Sequence, residues 1–169
     1  MSDISEFSTQ TEKSFSELMD RKGVLCSKIS ENKINKVPDF LCENNDYKVV
    51  FELKDINESG TTKCLLPNML FRKNTIESTI NRFIKQASNK FTNSTYANFD
   101  SGLAITNLRS FVDFKSNLMP QVIRIVNEKL SQHQEIGNLI ICGYNHSSDQ
   151  IIALHIFENK NSKRVIKRD

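Results

Sequence analysis

Residues 48–54 read Lys-Val-Val-Phe-Glu-Leu-Lys, and this run limits the fold more than any other. An extended chain alternates its side chains, so Val49, Phe51 and Leu53 share one face while Lys48, Val50, Glu52 and Lys54 share the other. Apolar residues on both faces mark a central strand covered on both sides. The same strand carries a carboxylate and an ammonium two residues apart on one face. A buried ion pair of that kind is neutral or costly for stability, so it asks for a reason other than folding.

The flanking segments supply the rest of a sheet and its cover. Residues 39–43 form a second apolar run, separated from the first by Asn44, Asn45 and Asp46, which together signal a hairpin. Upstream, Phe7, Phe15, Leu18 and Met19 recur at helical spacing, and a helix is expected over residues 8–22. Ser8, Thr9 or Thr11 could cap it, and Gly23 suits its C-terminal stop. A short strand over 24–29 follows. A second helix is expected over 75–91, with Ile76, Ile80, Phe83, Ala87 and Phe91 as its buried stripe. A third has Pro120 in its first turn, Asn117 as a cap, and Val122, Ile125, Val126 and Leu130 facing inward. Strands are expected over 102–107, 137–143 and 151–157.

Residues 111–118 are ambiguous, and 55–74 have weak periodicity over a length unusual for a compact domain. That second stretch is either a substrate-facing loop or conceals a short strand or helical turn. The order of elements points to a single α/β domain over residues 1–157, with a mixed central sheet of four to five strands and helices against its faces. Residues 158–169 are rich in Lys and Arg and are expected to fray as a basic tail.

Composition excludes several function classes. A chain of 169 residues is short for two separately cored domains, and 23 Lys plus Arg against 20 Asp plus Glu permits a nucleic-acid partner without requiring one. Cys26, Cys42, Cys64 and Cys142 lie too far apart for a zinc ribbon or finger, and all four are expected to be reduced and structural. His133, His146 and His155 have no ligand spacing. The five glycines are scattered, so no phosphate-cradling loop exists and ATP-driven chemistry is not expected. The opening residues do not resemble a secretory signal, and no run approaches 18 apolar residues. The expectation is an intracellular protein in a reducing compartment, with no membrane association.

The chemistry gathers at the hairpin. Asp39 follows Pro38 on the first strand, and the turn can return it beside Glu52 and Lys54. Two carboxylates and one ammonium would then converge. Mg²⁺ takes hard oxygen ligands and keeps part of its water shell, so Asp39, Glu52 and the backbone carbonyl of Leu53 suit it. There it would polarise a phosphate oxygen and acidify water, with Lys54 orienting that water or offsetting transition-state charge.

Pro38-Asp39, twelve residues, then Glu52-Leu53-Lys54 resembles the PD-(D/E)XK nuclease superfamily, with its restriction-endonuclease-like fold. The likeness runs over about residues 10–107, and the long 55–74 insertion departs from it. It implies hydrolysis of DNA, less often RNA, with Mg²⁺, for which Mn²⁺ substitutes. In the junction-resolvase-like and restriction-like branches a glutamate on the first helix completes the metal site. Glu12 fits that place best, with Glu17 as the alternative. Gln86, on the second helix, resembles the glutamine that touches phosphate or the active-site lysine. The resemblance also implies a homodimer where both strands are cut, or membership of a larger nucleic-acid-processing complex. A non-catalytic binding or structural module of the same fold is the main rival, and an RNA-directed nuclease the next. Between residues 56 and 96 six basic residues, Lys63, Arg72, Lys73, Arg82, Lys85 and Lys90, face Glu58 and Glu77 alone, and they are candidate phosphate contacts.

Overall fold

A computed structural model describes residues 10–30, 36–45, 48–55, 73–93, 95–106, 119–145 and 150–166. Among the described residues nine elements are formed, in the order α1 (Gln10–Arg21), β1 (Leu25–Lys28), β2 (Phe40–Glu43), β3 (Lys48–Asp55), α2 (Lys73–Phe91), β4 (Asp100–Thr106), α3 (Met119–Leu130), β5 (Asn138–Asn145) and β6 (Gln150–Glu158). One sheet takes the six strands described, in chain order, one more than the upper end of the four to five expected. β3, β4 and β5 run parallel, and the remaining pairs are antiparallel. Parallel neighbours need a crossover, and α2 and α3 provide it. The result is an α/β architecture with a mixed central sheet flanked by helices. Among the described residues no helix is long and apolar enough to cross a membrane.

The two faces of β3 sort the core into two layers. Val50 packs with Ile80, Phe83, Ile84, Ala87 and Phe91 of α2, with α3, and with Leu103 and Ile105 of β4. Val49, Phe51 and Leu53 pack on the opposite side against Phe15, Leu18 and Met19 of α1. Phe15 is fully buried there, with its ring 5.4 Å from that of Phe40 and 5.3 Å, edge-on, from that of Phe51. β4 carries Gly102 beside Phe51 because a β-carbon at that position would run into the Phe51 ring.

Helix ends follow the signals in the chain. Gly23 stands at φ 76°, in the left-handed region that costs a glycine nothing. Its N–H donates to the Asp20 carbonyl, and the N–H of Val24 donates to that of Met19, which makes a Schellman stop. Pro120 is the second residue of α3, where its missing N–H would have had no partner. Asn117 and the ambiguous 111–118 stretch lie outside the described residues, as do residues 56–72.

Three expectations are corrected here. Cys26 and Cys42 face each other across β1 and β2 and are joined in a disulfide, so not all the cysteines are reduced. Opposed residues in an antiparallel pair put their side chains on one face, and that register brings the two sulfurs together. Cys142 is free and buried, its thiol pushed up to about 12 by desolvation, while Cys64 lies outside the described residues. Asp55 faces opposite Lys54 if the strand continues and reads from the sequence as a surface residue; it is buried and accepts a 2.8 Å hydrogen bond from the Thr11 hydroxyl of α1.

The third correction concerns the chain after β6. Instead of fraying, it closes helix ends as far as Ile166. Asn159 donates its side-chain amide to the carbonyls of Leu130, His133 and Ile136 beyond the end of α3. Arg164 spreads its guanidinium over the carbonyls of Phe91, Tyr96 and Phe99 at 2.6–2.7 Å and stacks on the Phe91 ring. A cation at a helix C-terminus also meets the negative end of its dipole. Arg164→Ala should therefore lower stability by about 2–3 kcal/mol, from several charged hydrogen bonds to carbonyls left without a donor. Arg164→Lys should recover only part of that, since an ammonium cannot reproduce the fork. Urea unfolding of the three proteins measures it, and a lysine variant as stable as wild type would refute the geometric reading.

Candidate active site at the β2–β3 hairpin

β2 and β3 pair with Phe40 opposite Phe51, and the same register continued by one residue sets Asp39 opposite Glu52. Residues directly opposed in an antiparallel pair share a face, so both carboxylates point to the α2 side. The backbone at Asp39 is pinned, because its carbonyl accepts the N–H of Ile29. Its side chain is pinned as well: Oδ2 accepts the N–H of Leu53 at 2.8 Å. Oδ1 is then turned toward Glu52 and the end of α2.

Glu52 is 1% exposed in the middle of the sheet. Its Oε1 accepts a 2.6 Å hydrogen bond from Nζ of Lys90, and Nζ of Lys54 lies 3.5 Å from the same oxygen. Nζ of Lys90 is also 4.0 Å from Oδ1 of Asp39. Two carboxylates and two ammonium groups therefore meet between β2, β3 and the last turn of α2. Burial, and then the neighbouring Asp39 charge, push the Glu52 carboxyl up to about 8, against the pull of Lys90 and Lys54. Oε2 of Glu52 is buried and has no hydrogen-bond partner among the described residues, in a position where either protonation state would want one.

The expected site residues divide into groups. Asp39, Glu52 and Lys54 come together. Glu12 is held by Lys28 of β1, whose Nζ lies 3.0 and 3.1 Å from its two carboxylate oxygens. Glu17 is exposed on α1. Among the described residues no group of three or more His, Cys, Asp or Glu side chains is arranged to hold a metal ion, so Glu12 does not join the other two carboxylates in such a group. Gln86 is exposed on α2, as are Arg82 and Lys85, and the Arg82 guanidinium lies 5.5 Å from the Phe83 ring centroid. Lys73 opens α2. Lys63 and Arg72 lie outside the described residues. Tyr96 and Phe99 are partly buried and pack against the core.

Lys90 was expected among the phosphate contacts and instead sits inside the carboxylate pair. A signal for this was present. Lys90 lies three residues after Ala87, seven after Phe83 and one before Phe91, at the border of the buried stripe of α2. A lysine there lays its stem on the core and delivers its charge to whatever the sheet presents.

The orphaned Oε2 of Glu52 and Oδ1 of Asp39 offer two hard oxygens, and the Leu53 carbonyl lies on the same strand. Mg²⁺ is commonly held by one or two carboxylates with waters and substrate phosphates completing its shell, so a two-carboxylate site suits it better than ions that need a full protein cage.

No protein-family model matches the chain, and no curated protein matches it. Among solved structures, that of Pyrococcus furiosus SfsA in complex with Ca²⁺ is similar at 14% identity and a TM-score of 0.39, over 88% of this chain and 63% of that one. The chain thus spans less than two thirds of that protein.

The raised Glu52 carboxyl sets a sign for pH. Between the unfolded value of about 4.5 and the folded value of about 8, the native state holds a proton that the unfolded state has lost. Stability contributed by this group is therefore lost as pH rises through that window, by at most about 1.4 kcal/mol per unit. Glu52→Gln should remove this slope and gain on wild type up to about pH 8, as read by denaturant unfolding from pH 5 to 9. Parallel pH profiles for the two proteins would exclude the shift.

Proposed function

We propose that the chain is a metal-dependent nuclease of the PD-(D/E)XK type, with a restriction-endonuclease-like core, hydrolysing DNA phosphodiester bonds. The observation that carries this reading is the buried Glu52 carboxylate with an orphaned oxygen, opposed by Asp39 across the hairpin and followed two residues later by Lys54. A structural ion pair would be expected to satisfy its buried oxygens, and this one leaves Oε2 open.

Asp39, Glu52 and the Leu53 carbonyl would hold Mg²⁺, with Mn²⁺ as a substitute. When bound, the ion would supply polarisation of the scissile phosphate and a more acidic water. Asp39 stays in place because Leu53 N–H fixes its other oxygen. Lys54 would offset charge that develops on phosphorus, from an ammonium already held near Glu52. Arg82 and Lys85, exposed on α2, would meet backbone phosphates, which position a duplex without reading its sequence. Gln86 is exposed on the same helix and would act on phosphate, not on the carboxylates. Cutting both strands would take two copies of the chain.

One observation favours a second reading, a non-catalytic nucleic-acid-binding module. The third carboxylate that such nucleases use on their first helix corresponds here to Glu12, and Lys28 engages it. The two readings differ in what Mn²⁺ does. Calorimetric titration should show Mn²⁺ binding to wild type, and a panel of duplex DNA, branched DNA and single-stranded RNA should show cleavage of DNA. Asp39→Ala and Glu52→Ala should abolish cleavage and weaken metal binding, whereas Lys54→Ala should retain more of the metal affinity. Apparent affinity should rise about tenfold per unit of pH up to about 8, because the Glu52 proton must leave for the ion to enter. DNA retention without cleavage would support the binding module, and preferential cleavage of the RNA would move the substrate class. Equal residual cleavage in all three variants would exclude this active site.

A further inference from the structure

We infer that Lys90 holds the place of the divalent cation, as a tethered ammonium that the ion must displace. This rests on the metal-site reading proposed above and goes beyond it by assigning a role to a residue outside the Asp39, Glu52 and Lys54 set. Nζ of Lys90 is within 4.0 Å of Oδ1 of Asp39 and 2.6 Å from Oε1 of Glu52. It is the ammonium that contacts both carboxylates, and a position between two carboxylates is where a shared cation sits. Nζ of Lys54 is 3.5 Å from Oε1 of Glu52, on the same strand as that residue.

Geometry makes the two cations alternatives. Mg²⁺ bonded to a carboxylate oxygen lies about 2.1 Å from it. An ion held by Oε2 of Glu52 and Oδ1 of Asp39 would face, at close range, an ammonium 2.6 Å from the other oxygen of Glu52 and 4.0 Å from that Oδ1, where like charges repel strongly. One of them has to leave. Lys90 is built to do so: it enters from α2, a different element from the two carboxylates, and its side chain is 24% exposed and so has a path to water. Its backbone stays in place when the ammonium moves, because the adjacent Phe91 carbonyl is held by Arg164. Without the metal, the ammonium donates to Glu52 and is a counter-charge to Asp39. Loading therefore exchanges one counter-ion for another in a site that is already assembled.

The test compares metal affinity with the exposure of the lysine. Mn²⁺ titration calorimetry is run on wild type, Lys90→Met and Lys54→Met, with Lys90→Gln as a second variant. Lys90→Met is expected to bind Mn²⁺ about tenfold or more tightly than wild type, and Lys54→Met to gain clearly less, since general repulsion acts at both positions and occupancy at one. In parallel, acylation of lysines in the wild-type chain is followed by mass spectrometry with and without saturating Mg²⁺. Lys90 should become several-fold more reactive when the ion binds, and Lys54 should not. Equal gains for the two methionine variants would overturn the inference, as would Lys90 reactivity indifferent to Mg²⁺. If neither Lys90 variant folds, the acylation experiment on the wild-type chain decides. Absence of Mn²⁺ binding in every protein would remove the metal site itself, an outcome distinct from binding in wild type that is unimproved in Lys90→Met.

Discussion

The contact between Glu52 and Lys90 is the constraint around which the site is organised. A carboxylate in the middle of a central strand, 1% exposed, has lost its water and must be compensated from within the protein. The compensation comes from Lys90 at 2.6 Å on one side and Lys54 at 3.5 Å along the strand. Asp39 works against it, yet Asp39 is fixed by hydrogen bonds to β1 and β3 at the one register position opposite Glu52. The last turn of α2 therefore has to lie where its lysine can reach. Arg164 holds that turn by the Phe91 carbonyl, so a segment far along the chain takes part in positioning a group of the site.

Such an arrangement is hard to explain as a device for stability. Replacing a buried ion pair by apolar residues of similar volume is often neutral or stabilising, and Val50, Leu103 and Ile105 pack on this same sheet face. The aliphatic neighbours of Glu52, such as Val50 and Leu103, show what the site would hold if packing alone decided. Instead there is a carboxyl raised to about 8 with one oxygen unsatisfied. Perturbed, incompletely satisfied groups of this sort concentrate where a protein binds or reacts with something.

Much of this was legible in the chain because it depends on local periodicity. The alternation over β3 assigned Glu52 and Lys54 to one face, the asparagines after Glu43 marked the hairpin, and the stripe from Ile80 to Phe91 marked α2. Gly23 signalled the stop of α1. The features that escaped depend on register or on distant packing. The Cys26–Cys42 bond needs to be known from pairing, since sixteen residues of separation suggest nothing. Asp55 gains its partner from α1, not from its own strand. Arg164 and Asn159 look like residues of a polar tail until the carbonyl ends of α2 and α3 are placed beside them. Lys90 reads as a surface cation because a lysine at the edge of an apolar stripe has the same local pattern whether its head meets solvent or a buried carboxylate.

The polar contacts of α1 bear on how many carboxylates the site can muster. Thr11 is tied to Asp55 on the face of β3 opposite Glu52, and Glu12 is tied to Lys28 of β1. Moving Glu12 toward Asp39 would leave the Lys28 ammonium, itself only partly exposed, without that carboxylate. The first turn of α1 thus serves to dock the helix, and a metal ion at the hairpin would rely on two carboxylates. Below about pH 8 Glu52 holds its proton, so one carboxylate faces two ammonium groups. A divalent cation would leave the site with excess positive charge even after that proton left, unless one ammonium withdrew or phosphate arrived with it. Of the two lysines, Lys54 is fixed to the strand that carries Glu52, while Lys90 is borne by a separate helix. Charge repulsion and attachment to a separate element therefore point to the same side chain as the one that would give way.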